Sequence, residues 1–213
     1  MIATLPTISL EIRPARPEDT RPILLLHCEA FADKFGAAFG AHGVARGVEA
    51  MAEAWRRQGI SALRGMFVAC SDQQVIGTIT LRTWEMGHED AAAAEMAFHQ
   101  VLGPWGALRS FVALSLLDHT ISRDEGYLTD VAVHSAYRRR GVAQAMLLRA
   151  EEEARLRRKK NLSLYVSAAN QGAHQLYRRV GFHDIRLRTS LLAGVLLRRL
   201  RWIYMHKPIA EYE

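Results

Sequence analysis

Two cysteines, Cys28 and Cys70, are all that 213 residues contain, and they stand far apart in apolar settings. Neither a disulfide framework nor a metal-ligand spacing can be drawn from them, so both are read as buried thiols behaving as small hydrophobes. Long apolar runs are also missing. The most hydrophobic stretch, AAAAEMAFHQVLGPWGALRSFVALSLL, is broken by Glu95, His99, Arg109 and the Gly103-Pro104 pair. It falls short of the ~20 apolar residues that a membrane span requires. The opening MIATLPTISLEIRP has neither the basic start nor the long apolar core of a secretion signal. These absences argue against membrane partners and export and predict a cytoplasmic protein.

What is present is an ordinary globular composition. Hydrophobic residues make up 49% and charged residues 23%, both near the averages for soluble domains. Length and pattern predict a single domain over 1–213, with a helical insertion at about 86–125 and no repeat or low-complexity linker. Lys and Arg total 28 against 22 Asp and Glu, a formal charge of +6. That excess favours anionic ligands without naming one: nucleic acid, a phosphate-bearing cofactor and acidic lipid all remain open.

LEIRPARPEDTRPILLLHCEAF predicts a short strand ending near Arg13, then a helix whose start is marked by Pro17, with Glu18 and Asp19 near its positive end. Ile23, Leu26, Ala30 and Phe31 share one stripe, widened by Leu24 and Leu25. A second helix is expected over Val48 to Arg57, stopped by Gly59. MFVACSDQQVIGTITLRTW holds two β-rich runs around the polar tetrad Ser71 to Gln74, a hairpin signal. From about Glu89 to His119 the pattern is helical, split at Gly103-Pro104.

GYLTDVAVH reads as a strand with Tyr127, Thr129, Val131 and Val133 on one side and Leu128, Asp130 and Ala132 on the other. The helix after Gly141 carries Val142, Met146, Ala150 and Ala154 at intervals of four. NLSLYVSA is the next strand, and NQGAHQLYRRVGF a short helix with Asn170 as N-cap and Gly181 closing it. HDIRLRTS and LRWIYMHKP are closing strands, and LLAGVLLRR between them is ambiguous. The element order describes a mixed α/β sheet flanked by helices.

Three arginines, Arg138, Arg139 and Arg140, precede Gly141 where a strand hands over to a helix. Free N–H groups at such a helix start suit a phosphate, Gly141 and Ala143 keep side chains out of the way, and the arginines add charge just outside. The stretch is neither a Walker loop nor GxGxxG. On these residues alone, a solvated loop and an anion site both stand.

Context adds a resemblance. Arg138-Arg139-Arg140-Gly141-Val142-Ala143 is similar to the Q/R-x-x-G-x-G/A element of the GNAT superfamily of N-acetyltransferases. Asn170, Ala173, Tyr177, Gly181 and Phe182 resemble its later N-x-x-A-x-x-x-Y-x-x-x-G-F element. IRPARPEDTRPILLLHCEAF looks like the family's first strand and helix, and RWIYMHKPI like its last strand. The likeness covers most of the chain and departs from the family between Trp84 and Gly126, where the family has a short connection. It implies a mostly antiparallel central sheet flanked by helices, with a helical insertion before the cofactor-binding strand.

The resemblance further implies acetyl-coenzyme A as co-substrate and a primary amine, on a small molecule or a peptide, as acceptor. The amides of Arg138, Arg139, Arg140, Gly141, Val142 and Ala143 would hold the pyrophosphate. The backbone of Val131 and Val133 would pair with the pantetheine arm as an added strand does. The thioester would lie in a wedge where the strand of Leu162 to Val166 splays from that of Leu128 to Val133. Val131 N–H would meet the oxyanion, Tyr177 would protonate the departing thiolate, and Asn170 would cap its helix and contact the cofactor.

For a general base, Asp130, Glu85, Tyr127 and a water chain stay open. His119 and His134 are read as surface or core histidines. Arg155 to Lys160 reads as a solvated helix end that suits the negative pole of the helix, with contact to the cofactor's 3′-phosphate as the second reading. Because that run is not interleaved with exposed aromatics, no nucleic-acid partner is expected. Trp105, Phe111 and Leu114 hint at an apolar acceptor, a non-catalytic coenzyme A-binding module is the competing function, and a homodimer is left open.

Overall fold

Alternation of side chains along the run MFVAC builds the centre of the molecule. In β2 (Met66–Ser71), Phe67 and Ala69 enter one core and Met66, Val68 and Cys70 another, so the strand is covered on both faces. The computed structural model of the chain describes residues 9–40, 43–87, 91–114, 119–189 and 201–209. Among them lie β1 (Glu11–Pro14), α1 (Thr20–Ala30), α2 (Ala32–Phe39), α3 (Val44–Gln58), β2 and β3 (Gln74–Thr83). There follow α4 (Ala91–Leu114), β4 (Glu125–Val133), α5 (Val142–Leu156), β5 (Asn161–Ser167), α6 (Gln171–Arg179), β6 (His183–Thr189) and β7 (Arg201–Pro208).

The strands form one sheet in the order β1-β2-β3-β4-β5-β7-β6. Every pairing is antiparallel except β4 with β5. The mixed, mostly antiparallel α/β sheet expected from the sequence is therefore the one observed. Helices α5 and α6 cover one face, where Val142, Met146, Ala150 and Ala154 pack with Ile79, Leu81, Leu128, Leu162 and Leu164. Helix α1 covers the other, with Ile23 against Met66, Val68 and Cys70.

Local chemistry explains most boundaries. Asp72 and Gln73 turn between β2 and β3 with φ of 49° and 64°, the pair of left-handed residues that a two-residue hairpin needs. At Phe31 the backbone leaves helical geometry (φ −119°, ψ 39°), so the first helix is followed by α2, which the hydrophobic pattern did not separate. Helix α3 starts before the predicted Val48 and ends at Gly59, whose φ of 60° suits glycine. Helix α4 bends at Gly103 (φ 73°, ψ 173°) ahead of Pro104, as the sequence predicted. It packs on α3 through Ala50, Ala54, Ala97, Phe98 and Ala107. The ambiguous stretch LLAGVLLRR lies outside the described residues.

One expectation about β4 fails. Strict alternation placed Tyr127, Val131 and Val133 on one side, but Thr78 pairs with Ala132 and Thr80 with Thr129, so β4 carries an extra residue between those rungs. Asp130, with φ of 53°, sits in this bulge. Past it the faces exchange: Val131 and Val133 pack against the α5-side core together with Leu128, whereas Tyr127 faces His119 on the opposite side.

Candidate active site

The bulge and a strand splay define the site. Rungs between β4 and β5 run from Glu125–Asn161 to Leu128–Leu164 and stop there. Beyond that point β4 continues to Val133 and β5 to Ser167, each held only by its outer neighbour, β3 or β7. The result is a wedge bordered by Thr129 to Val133. The Thr78 hydroxyl pins the bulge by donating to Asp130 O at 2.8 Å. Two buried polar atoms near the wedge, Thr80 Oγ1 and Trp202 Nε1, have no hydrogen-bond partner among the described residues.

At the same end of β4, the chain turns through Arg138, Arg139, Arg140 and Gly141 into α5. Gly141 is the N-cap with φ 81° and ψ −6°, and no side chain caps the helix. A Cβ built on Gly141 would meet nothing within 4 Å, so no side chain crowds this point, and the first N–H groups of the 15-residue helix receive no side-chain cap from Gly141. Buried Val142 anchors this turn in the core, and Ala143 is half-buried beside it. Arg138 is partly committed to the loop itself: Nε donates to Val133 O at 3.0 Å, and its guanidinium lies 3.7 Å from Glu29. Arg139 is left-handed (φ 63°), and Arg140 sits over the Tyr137 ring at 5.8 Å. Glu29, not foreseen from sequence, also accepts Ser135 N–H at 2.8 Å and so fastens this loop to α1.

Asn170 caps α6, its Oδ1 accepting Ala173 N–H at 3.2 Å. Tyr177 on α6 is buried, 7% exposed, with its ring 6.0 Å from Phe182. Burial pushes its phenol up to about 12, so it is a protonated donor at neutral pH.

The base candidates part company. Glu85 is claimed by Lys159, whose Nζ lies 2.5 Å from it and 2.6 Å from Arg123 O; the hydrogen bond from Lys159 holds the Glu85 carboxyl at about 2. Lys159 itself is buried, so the Arg155 to Lys160 run is solvated only in part. Its Arg155 and Arg157 pair with Glu151 and Glu153. For Asp130, burial works to raise the carboxyl, but His27, Lys34, the Thr129 hydroxyl and Arg82 together hold it below the usual carboxylate range. The bulge turns it toward these α1-side groups rather than to the Leu128 side that alternation predicted. His27 is buried and pushed down by desolvation, and it bonds the Thr78 hydroxyl at 3.0 Å. His134 stands half-exposed near Glu29 at 3.5 Å.

A cluster that the sequence reading missed lies on the Tyr127 face. Glu125, 4% exposed, receives His119 Nε2 at 2.8 Å, Tyr204 OH at 2.9 Å, the Ser163 hydroxyl and Ser122 N–H at 3.0 Å. Burial would raise this carboxyl, and these donors more than offset it, to about 2. The His119 ring is packed among Tyr127 (4.6 Å), Tyr204 (5.3 Å) and Tyr165 (5.8 Å). The only advance sign was the polar side of three strands, at Tyr127, Ser163 with Tyr165, and Tyr204. A separate cleft of about 730 Å³, lined by Glu11, Arg13, Leu25 and Gln73, meets the site only through Glu29 and His134.

Residues 28–182 match the Acetyltransferase (GNAT) family. The chain belongs to that family. As a GNAT acetyltransferase it is an acyltransferase enzyme, and the family draws its acyl group from an acyl-coenzyme A and delivers it to amines of proteins or small molecules. The fold is similar to an N-acetyltransferase from Staphylococcus aureus Mu50, at 22% identity and TM-score 0.68 over 92% of this chain and 99% of that one. It is likewise similar to a solved acetyltransferase at 22% identity and TM-score 0.66, over 94% of this chain and 100% of the other. The PaiA N-acetyltransferase from Thermoplasma acidophilum, solved with coenzyme A, is similar at 15% identity and TM-score 0.56, covering 94% and 99%. Comparison with curated protein sequences returns no match. Among the described residues of this GNAT acetyltransferase, no helix is long and apolar enough to cross a membrane.

Proposed function

We propose that the protein transfers an acetyl group from acetyl-coenzyme A directly to a primary amine of a small molecule or peptide. The observation that carries this reading is the joint placement of two bare backbone surfaces. The parted edge of β4 after Leu128 and the uncapped start of α5 at Gly141 lie at the same end of one strand. A pyrophosphate fits the second, because N–H groups and the helix dipole both favour an anion there, and an amide-bearing pantetheine arm fits the first.

In this reading the amides from Arg138 to Ala143 hold the pyrophosphate, and Arg139 and Arg140 add charge from the solvent side. Val131 and Val133 pair with the pantetheine arm, and Val131 N–H, freed from the β3 ladder by the bulge, stabilises the oxyanion. Asn170 caps α6 beside the cofactor. Tyr177 gives its phenolic proton to the departing thiolate. Asp130, anionic and a weak proton acceptor, attracts the cationic amine. The chain works as one domain over 1–213, with the helical segment of about 86–125 inserted before β4, in the cytoplasm.

Calorimetry with acetyl-coenzyme A, followed by a thiol-release screen across amino acids, polyamines, aminoglycosides and peptide N-termini, tests the proposal. Gly141→Glu places a carboxylate at the helix start and is expected to abolish binding. Equal binding by wild type and this variant refutes the site.

A further inference from the structure

The sequence leaves the group that takes the proton from the acceptor amine open among Asp130, Glu85, Tyr127 and a water chain, and the structure points to a different one. We propose that His119, oriented by Glu125, is the general base of the acetyl transfer. This rests on the reaction proposed above.

The argument begins with Glu125. Its carboxylate accepts from Ser163, Tyr204 and the Ser122 amide as well as from His119. A carboxylate so supplied is ionised and offers only acceptor sites, so the imidazole nitrogen 2.8 Å from it carries the hydrogen. Nδ1 then keeps the lone pair, and among the described residues it makes no hydrogen bond. Tyr127, Tyr165 and Tyr204 enclose the ring and fix its plane.

Position completes the case. Tyr127 stands opposite Ser163, one rung before the ladder ends at Leu128–Leu164, so His119 lies on the sheet face at the throat of the wedge. The charged and titratable groups around it are Glu125 and Tyr127 on β4, Tyr165 on β5, Tyr204 on β7 and Arg186 on β6. Arg186 bonds Tyr165 OH at 3.0 Å and lies 5.1 Å from the Tyr204 ring centre. On β3, Arg82 pairs with Tyr127, and on β7, His206 pairs with Ser163. The segment after α4 thus brings in a base that β4 does not itself supply.

The cationic amine first gives a proton to His119 Nδ1, which releases it to solvent. As the neutral amine nitrogen then bonds to the thioester carbon, the carbonyl oxygen becomes the oxyanion and the same Nδ1 takes a second proton from nitrogen. Collapse re-forms the carbonyl and breaks the carbon–sulfur bond, and the thiolate takes a proton from Tyr177. Amide and free thiol leave. Solvent then removes the proton from His119 and returns one to Tyr177.

The test uses His119→Gln, which keeps a donor toward Glu125 but has no basic nitrogen, and His119→Ala. Acetyl-coenzyme A is paired in turn with spermidine, L-lysine and a short peptide with a free N-terminus. His119→Gln should keep the wild-type Tm and bind coenzyme A within about twofold, while kcat falls by roughly 10²- to 10⁴-fold. That deficit should shrink as pH rises and the amine arrives already deprotonated, and added imidazole should restore part of the activity of His119→Ala. Glu125→Gln, the positioning variant, should move the acid limb of the pH profile. Activity of His119→Gln within twofold of wild type at every pH overturns the assignment alone. If wild type binds coenzyme A but releases no thiol with any probe, the acetyl-transfer reading falls, and this one with it.

Discussion

Leu128 and Leu164 form the last rung between β4 and β5, and the two strands then part toward Val133 and Ser167. The gap is built in, because β3 and β7 keep the outer edges of both strands paired up to Gly77–Val133 and Trp202–Ser167. Backbone N–H and C=O groups along the inner edges are thereby left for a ligand that can pair like a strand.

If the pantetheine arm uses that edge, coenzyme A should bind more tightly than 3′-phosphoadenosine 5′-diphosphate, which lacks the arm. Two backbone hydrogen bonds at about 1 kcal/mol each correspond to roughly 10- to 100-fold in Kd. Calorimetry on both ligands measures this, and equal affinities would remove the arm from the wedge.

Gly141→Ala separates backbone geometry from sterics. With open space around its Cβ position, the substitution meets no clash, but φ of 81° disfavours any L side chain. A loss of about 1–2 kcal/mol in stability is expected, read as a Tm lower by roughly 2–8 °C for a chain of this size. Binding of coenzyme A should weaken far less than in Gly141→Glu.

Tyr177→Phe should lower turnover by about 10²-fold or more while leaving coenzyme A binding within a factor of about two. With the phenol pushed up to about 12 by burial, its loss of a proton cannot cause a fall in wild-type rate below about pH 10. A basic limb near pH 8 that vanishes in Tyr177→Phe would contradict the buried-donor role.

Glu85→Gln tests whether the Lys159 partner has any part in catalysis. Because the Glu85 side chain is 55% exposed, solvent screening limits the loss in stability to about 1 kcal/mol even though Lys159 is left buried without its anion. Thiol-release kcat should be unchanged. A tenfold drop would restore Glu85 as a base.

Glu125 makes stability depend on acid. Its folded carboxyl sits at about 2 against an ordinary 4.5, a depressed value, so its contribution is complete above about pH 4.5 and disappears as pH falls toward about 2. A shift of this size is worth on the order of 3 kcal/mol. Urea titrations of wild type and Glu125→Gln should therefore differ most near pH 7 and converge only at about pH 2 and below. A gap that stays constant with pH would deny the carboxylate its role.

Much of this protein is local, and local features are readable in a chain. The hairpin at Asp72–Gln73, the kink at Gly103, the cap at Asn170 and the glycine before α5 each depend on a few adjacent side chains and their allowed backbone angles. The family motifs lie in the same class, since Arg138 to Ala143 and Asn170 to Phe182 are short contiguous segments. The break between α1 and α2 at Phe31 was not readable, because the hydrophobic stripe continues through it.

From sequence alone came the mixed sheet, the helix start that suits a pyrophosphate and the acetyltransferase resemblance, all consequences of periodicity, turn chemistry and contiguous motifs. Tertiary structure alone decided which way β4 faces beyond Asp130 and where β4 and β5 part. It also brought His119, Glu125, Ser163, Tyr165 and Tyr204 together. A bulge is set by the register of a neighbouring strand, and a hydrogen-bonded cluster drawn from three strands and a loop exists only once the sheet has closed around it.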